Sequence, residues 1–204
     1  ASQISTELEV DLTSVGQPLP LELDGDEFYT PVFSQEKQRP HLLLVYSRFD
    51  AVERATDIPI NLLYLGSYLR ARGVEVTMLD GAQEDRFEEY FLEKAADVTA
   101  VGISAMTFQL PNALDLVARL KSKFPSKPVL MGGVHPTLFT EQMIQDPGID
   151  YVVKGEGEIP ILRILDVVLG HYEQEELKHA PGVAFRDKNG QIHLPKEYAE
   201  QVNY

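Results

Sequence analysis

The sequence predicts an α/β domain built on an open parallel sheet, and three observations carry that prediction. Five short apolar runs of strand length alternate with segments in which apolar residues recur at helical spacing. The runs are almost continuously apolar, as expected of strands covered on both faces. Parallel strands also need crossover segments of helix length, which these intervals supply. The expected architecture is flavodoxin-like or Rossmann-like, with strand order 2-1-3-4-5, helices on both faces and a C-terminal β-hairpin.

Residues 1–40 stand apart as an irregular N-terminal extension. "TSVGQPLPLELDGDEF" mixes proline, glycine and charge without periodicity, and "LPLELD" is the one short strand it offers. The domain is expected over 41–195. "HLLLVYS" reads as the first strand, and Ile58, Leu62, Leu65 and Leu69 as the buried stripe of a helix ended by Gly73. "VEVTMLD" is the second strand, and 84–96 a helix with Phe87, Tyr90 and Phe91 on one side. "VTAVGIS" is the third, followed by a helix carrying Leu110, Leu114, Val117 and Leu120, with Pro111 tolerated in its first turn. "KPVLMGG" is the fourth strand, 137–145 a short helix, "DYVVKG" the fifth strand and 158–170 a long helix closed by Gly170. "GVAFRD" and "QIHLP" flank Asn189-Gly190, a strong hairpin signal. Residues 196–204 read as a linker toward a further domain.

Composition narrows the function. Eighteen basic against 32 acidic residues give a net charge of −14, which disfavours nucleic acid as a partner. The chain holds no cysteine, so disulfides, thiolate metal sites and cysteine-held iron–sulfur clusters are excluded within it. That absence fits a cytoplasmic location. No apolar run approaches the roughly 18 residues of a membrane span, and none of the start resembles a secretion signal.

In an open α/β sheet, ligands bind beyond the carboxyl ends of the strands, near the switch in strand order. The loops selected are 47–57, 80–85, 104–108, 132–137 and 155–158. In "GISAMTF", Ser104 and Thr107 offer hydroxyls beside Met106 and Phe108; they can bond a ligand, cap the next helix, or both. In "GGVHPT", Gly132 and Gly133 allow a ligand close to the backbone, Pro136 stiffens the exit and Thr137 can cap a helix. His135 has no spaced partners for a metal, so it reads as a loop histidine bonded to backbone or ligand. In "KGEGE", Gly155 and Gly157 alternate with Glu156 and Glu158 at a helix start. These acids complement the helix dipole or receive ligand donors; they are poorly placed to flank a glycosidic bond.

Four segments in order, "INLLYLGSYLRARGVEVTMLD", "VGISAMTFQLPNALDLVARLK", "VLMGGVHPT" and "DYVVKGEGE", resemble the N-terminal cobalamin-binding domain of cobalamin-dependent radical S-adenosylmethionine enzymes. The resemblance covers about 41–195. Ser104-Ala105-Met106 matches the wider superfamily's Ser-x-Leu element with Met for Leu, and Gly132-Gly133 matches its glycine pair. It implies that the nucleotide tail of a base-off cobalamin threads between these loops. Gly132 and Gly133 would make room for the tail, and Ser104 or Thr107 would bond to it. The cofactor contacts implied by these loops and the helix before them are Asp57, Asn61, Leu62, Ser104, Met106, Thr107, Phe108, Gly132, Gly133, His135, Pro136, Thr137 and Gly155 to Glu158. A bulky residue at Gly133 is expected to abolish binding and leave the fold intact.

The resemblance departs at one motif. The superfamily's Asp-x-His-x-x-Gly element, whose histidine ligates cobalt, should lie after the first strand. Asp57 is present, but Pro59 stands where the histidine would fall. A cobalamin without a histidine lower ligand is therefore expected, its lower face meeting water or a side chain from 47–62. The family's Cys-x-x-x-Cys-x-x-Cys cluster site is also missing, so an iron–sulfur cluster and S-adenosylmethionine are expected only in a barrel domain supplied in cis or in trans. On this reading the chain is not catalytic alone and is an excised cofactor module, a reading favoured by its end just after the hairpin. The alternatives are a free-standing cobalamin carrier and a receiver-like regulatory domain, although "VYSRFD" and "GIS" lack a receiver's acidic cluster and phospho-acceptor Asp. A hydrolase reading lacks a Gly-x-Ser-x-Gly elbow.

Overall fold

The computed structural model describes residues 29–35, 39–48, 59–84 and 86–199. Asp57, the "LPLELD" segment and residues 200–204 lie outside the described residues. In chain order the elements are α1 (Val32–Gln35), β1 (His41–Tyr46), α2 (Ile60–Ala71), β2 (Glu75–Asp80), α3 (Phe87–Ala96), β3 (Ala100–Ser104) and α4 (Leu110–Lys123). There follow β4 (Val129–Gly132), α5 (Val134–Leu138), α6 (Thr140–Met143), β5 (Tyr151–Val153), α7 (Glu158–Val168), β6 (Val183–Arg186) and β7 (Ile192–His193).

The strands form one sheet in the order β2-β1-β3-β4-β5-β6-β7. The first five pair in parallel, in the expected order. The hairpin does not stand apart from them. β6 pairs antiparallel with β5, and β7 with β6, so the hairpin extends the sheet and covers its edge.

Alternate residues of each strand feed two separate cores. Leu43, Val45, Val101, Ile103, Val129 and Met131 pack against α3 and α4, where Phe87, Phe91, Leu116 and Leu120 are buried. Leu42, Leu44, Leu130 and Val153 point to the other face, toward Leu69 of α2 and Ile161, Leu162 and Leu165 of α7. Each face thus carries two long helices, α3 and α4 on the first and α2 and α7 on the second. α2 packs over β1 and β2 and α7 over β5, and the two helices touch each other.

The segment after β4 corrects the sequence reading. A helix was expected at 137–145, but α5 begins at Val134, immediately after Gly133, and α6 follows as a second short helix. Gly133 has φ of +96°, in the left-handed region, so the chain leaves the strand and enters the helix within a single residue. Pro136 then falls in the first turn, where its missing N–H costs nothing.

Candidate functional site

β1 pairs with β2 on one side and β3 on the other, so the switch in strand order lies between β1 and β3. Beyond the carboxyl ends of β1, β3, β4 and β5 the structure opens a cleft of about 760 Å³. α2 forms one wall through Ile60, Tyr64 and Leu65, and the start of α7 forms the other through Gly157, Glu158 and Ile161. The floor is Leu44, Gly102, Leu130 and Gly132, with Val153 beside them.

The glycines of the floor have different jobs. A Cβ on Gly132 would meet nothing closer than Val153 Cβ at 3.9 Å, so the space above it belongs to the cleft. A Cβ on Gly133 would lie 2.8 Å from Ser104 Oγ and 2.9 Å from the Ala105 carbonyl. Gly133 is therefore demanded by the chain's own backbone, and the expectation that its replacement spares the fold is corrected. Gly102, also on the floor, makes room for a neighbouring side chain, since a Cβ there would sit 3.1 Å from Leu44 Cδ2. A glycine inside "VTAVGIS" was a legible signal of close approach, which the sequence reading did not use.

The loops are wired to one another across this edge. The Ser47 N–H and hydroxyl both donate to the Ser104 carbonyl, at 3.3 and 3.1 Å. His135 N–H donates to the Ala105 carbonyl at 3.1 Å, and His135 Nδ1 lies 3.1 Å from Thr107 Oγ1. Thr137 Oγ1 accepts the Gly155 N–H at 3.1 Å, and the Ala199 N–H donates to the Lys154 carbonyl at 3.0 Å. Residues 197–199, within the linker expected over 196–204, thus run beside the Gly155 loop. A Cβ on Gly155 would meet the Ala199 carbonyl at 3.0 Å, so this glycine makes room for that segment.

Of the residues expected at the site, Asn61, Leu62, Ser104, Met106, Gly132 and Gly133 line the cleft. Thr137, Gly155, Glu156, Gly157 and Glu158 line it from the other side. Thr107, Phe108, His135 and Pro136 do not; they stand behind or above the rim. Two expected caps are corrected. Ser104 and Thr107 place no hydroxyl on the helix that follows, whose entry is held by Gln109 Oε1 accepting the Met106 N–H at 2.8 Å. Thr137 lies inside α5 and serves Gly155 instead.

His135 is buried, with its ring 4.7 Å from that of Phe139. Its Nε2 is sealed from solvent without a hydrogen-bond partner among the described residues. Glu158 is also buried at the cleft wall, at the N-terminal end of α7 where a carboxylate is favoured. Around the mouth, Ile60 is 72% exposed, Leu138 63%, Val134 54% and Phe108 49%. Such an apolar rim is unusual on a free surface and marks a place to be covered. Among the described residues no group of three or more His, Asp or Glu is placed to hold a metal ion. No described helix is long and apolar enough to cross a membrane.

The floor and walls fit one arm of a large cofactor. The cleft is lined mainly by apolar side chains, with Ser104, Thr137 and Glu156 among its polar lining, and its volume falls in the range of cofactor sites, roughly 300–1,000 Å³. Comparison with known proteins agrees. Among curated proteins, the chain is 29% identical over 133 residues to the anaerobic magnesium-protoporphyrin IX monomethyl ester cyclase of Synechocystis sp., covering 63% of this chain and 26% of that protein. It is 28% identical over 159 residues to the cytidylyl-2-hydroxyethylphosphonate methyltransferase of Streptomyces wedmorensis, covering 68% of this chain and 29% of that protein. The chain thus spans less than a third of either relative. Among solved structures, the cobalamin-dependent S-adenosylmethionine radical enzyme OxsB with aqua-cobalamin bound shares the fold, with a TM-score of 0.67, 20% identity, and coverage of 82% of this chain and 23% of that one. A family model for the B12 binding domain matches residues 52–165, more than half of the chain and all of the cleft's strands but the first. The protein belongs to the B12 binding domain family, and its cofactor is cobalamin.

Proposed function

We propose that the chain is the cofactor module of a cobalamin-dependent radical S-adenosylmethionine enzyme and holds cobalamin base-off, with the nucleotide arm in the cleft between α2 and α7. The observation that carries this reading is the cleft's floor. Gly132 leaves out a side chain there, on the face of the sheet that carries α2 and α7. Leu44, Leu65, Leu130 and Ile161 would hold the arm by apolar contact, and Ser104, Thr137 and Glu156 would meet its polar groups. Cobalamin supplies a cobalt centre suited to methyl transfer or related radical chemistry. This chain's share is to bind the arm, exclude water from it and present the remainder at the apolar rim.

The radical part of the reading is supported by the relatives, a cyclase and a methyltransferase, and by the fold shared with OxsB. With no cysteine of its own, the chain would rely on a barrel domain, in cis or in trans, for the iron–sulfur cluster and S-adenosylmethionine. No histidine occurs between 47 and 62, which supports a cobalt without a histidine lower ligand. In the test, the protein is mixed with hydroxocobalamin, desalted, and its visible spectrum recorded. Corrin absorbance is expected to travel with the protein; its loss from the protein fraction overturns the cofactor reading. After reduction to cobalt(II), electron paramagnetic resonance is expected to show no histidine nitrogen coupling, and such coupling would overturn the lower-ligand reading alone.

A further inference from the structure

A single peptide group at the exit of β1 is held on both of its polar atoms by side chains from one helix start. The Ser47 carbonyl accepts Gln109 Nε2–H at 2.6 Å, and the Arg48 N–H donates to Asn112 Oδ1 at 2.9 Å. Gln109 and Asn112 are three residues apart, which places them on one side of the helical start that carries them. Gln109 is 2% exposed and Asn112 9%. The second half of the Gln109 amide is used as well, because its Oε1 accepts the Met106 N–H at 2.8 Å. One neighbour offers a donor and the other an acceptor, so only one orientation of the amide satisfies both.

These bonds join the two strand ends that flank the switch in strand order. Ser47 follows β1 and Met106 follows β3, and the Ser47 hydroxyl already reaches the Ser104 carbonyl. Met106 and Ser104 line the cleft, whereas Gln109 and Asn112 do not. We propose that Gln109, supported by Asn112, is a positioning residue for the cofactor: it fixes the distance between the β1 exit and the Met106 loop, and so the width of the slot there. The proposal rests on the cobalamin reading above. A helix start needs one bond at most from such a side chain. An amide that spans two loops, buried and with both ends used, does more than cap.

The logic is that of a supporting shell, where groups that never touch the ligand hold those that do. Pro111 and the turn Thr107–Gln109 keep the amide close to the chain it bonds. Removing the amide takes these bonds from the Met106 N–H and the Ser47 carbonyl, and the loops are expected to drift apart.

The test uses the whole chain, hydroxocobalamin titration and hydrogen exchange. In the unaltered protein, hydroxocobalamin is expected to slow exchange at residues 46–48 and at the Met106 amide; unchanged exchange there, with cofactor bound, overturns the proposal. Gln109→Met keeps length and removes both bonds. It is expected to bind hydroxocobalamin about ten-fold more weakly, the factor for one buried hydrogen bond left unmade, and to exchange faster at Met106 while amides in the middle of α4 are unaffected. Gln109→Glu keeps the acceptor for Met106 but loses the donor to Ser47, and covers the case in which the first variant does not fold. It is expected to weaken binding while Met106 stays protected. Either variant, folded and binding as tightly as the unaltered chain, overturns the positioning role. Failure of the unaltered chain to bind overturns the cofactor reading itself, a separate result.

Discussion

Thr137 Oγ1 receives the Gly155 N–H at 3.1 Å, and this bond ties the loop after β4 to the loop after β5. Both residues line the cleft, and the two loops close its side away from the switch point. Thr137→Val keeps the shape of the side chain and removes the acceptor. Gly155 N–H is then left in a partly buried place without a partner, at a cost of about 1–3 kcal/mol. We expect a fall of that size in stability by chemical denaturation and a weaker hydroxocobalamin affinity. Unchanged denaturation midpoints would show that the bond does not hold the loop.

The glycine pair after β4 separates a fold requirement from a cofactor requirement. Gly133 has φ of +96° and would bring a Cβ to 2.8 Å from Ser104 Oγ. Gly133→Ala is expected to cost about 1–3 kcal/mol through backbone strain and contact, whether or not cofactor is present. Gly132 has open space where its Cβ would stand. Gly132→Leu is expected to fold normally, with an unchanged melting temperature of the free protein, and to lose hydroxocobalamin binding because the new side chain fills the floor. Retained binding by the Gly132 variant would mean that the arm does not pass over β4.

These two glycines show what the sequence reveals and what it withholds. The five strands were legible because buried parallel strands are nearly unbroken apolar runs, and the site's edge followed from the strand order. The roles within "MGG" were not, because a positive φ and an open pocket leave the same letter. Gln109 and Asn112 were passed over for a related reason: an amide at a helix start is an ordinary surface residue until the fold brings Ser47 and Arg48 against it. The pairing of Ala199 with Gly155 is a two-residue contact with no periodicity to announce it. Asp166 could have been found, since it interrupts the apolar run "ILRILDVV" on a helix that must be buried.

Asp166 is fully buried on α7 and accepts from three donors: the Tyr29 hydroxyl at 2.5 Å, the Val32 N–H at 3.0 Å and the Phe33 N–H at 3.1 Å. Burial first, and then the Asp166 carboxylate, push the Tyr29 phenol well above its ordinary range, so it stays a donor. Arg163 lies over the Tyr29 ring at 4.5 Å. This carboxylate thus fastens residues 29–33 to the back of the helix whose front end lines the cleft. Asp166→Ala is expected to cost about 3 kcal/mol or more, since a charged acceptor is removed from several donors. Proteolysis is expected to begin within 29–35 in that variant, while Tyr29→Phe, which removes one donor, is expected to cost roughly half as much. A variant with native stability and an uncut segment would refute the fastening role.

Asp187 closes the hairpin that covers the sheet edge. Its Oδ1 accepts the N–H groups of Asn189 and Gln191, each at 2.9 Å, and His193 Nε2 lies 2.9 Å from its Oδ2. The bond to His193, and then the backbone N–H groups of Gln191 and Asn189, hold the Asp187 carboxyl below the usual carboxylate range, against the opposing effect of burial. A carboxyl with a lowered pKa in the folded state adds stability above the pKa it has in the unfolded chain. That stability is lost as the pH falls through the lower folded-state value. Asp187→Asn cannot titrate at this position, so the stability gap between the two proteins is expected to shrink as the pH falls below about 4. Denaturation curves of both proteins across that range, read with a probe in the β6–β7 hairpin, measure it. A gap that does not change with pH would mean that these bonds form equally well with the acid protonated.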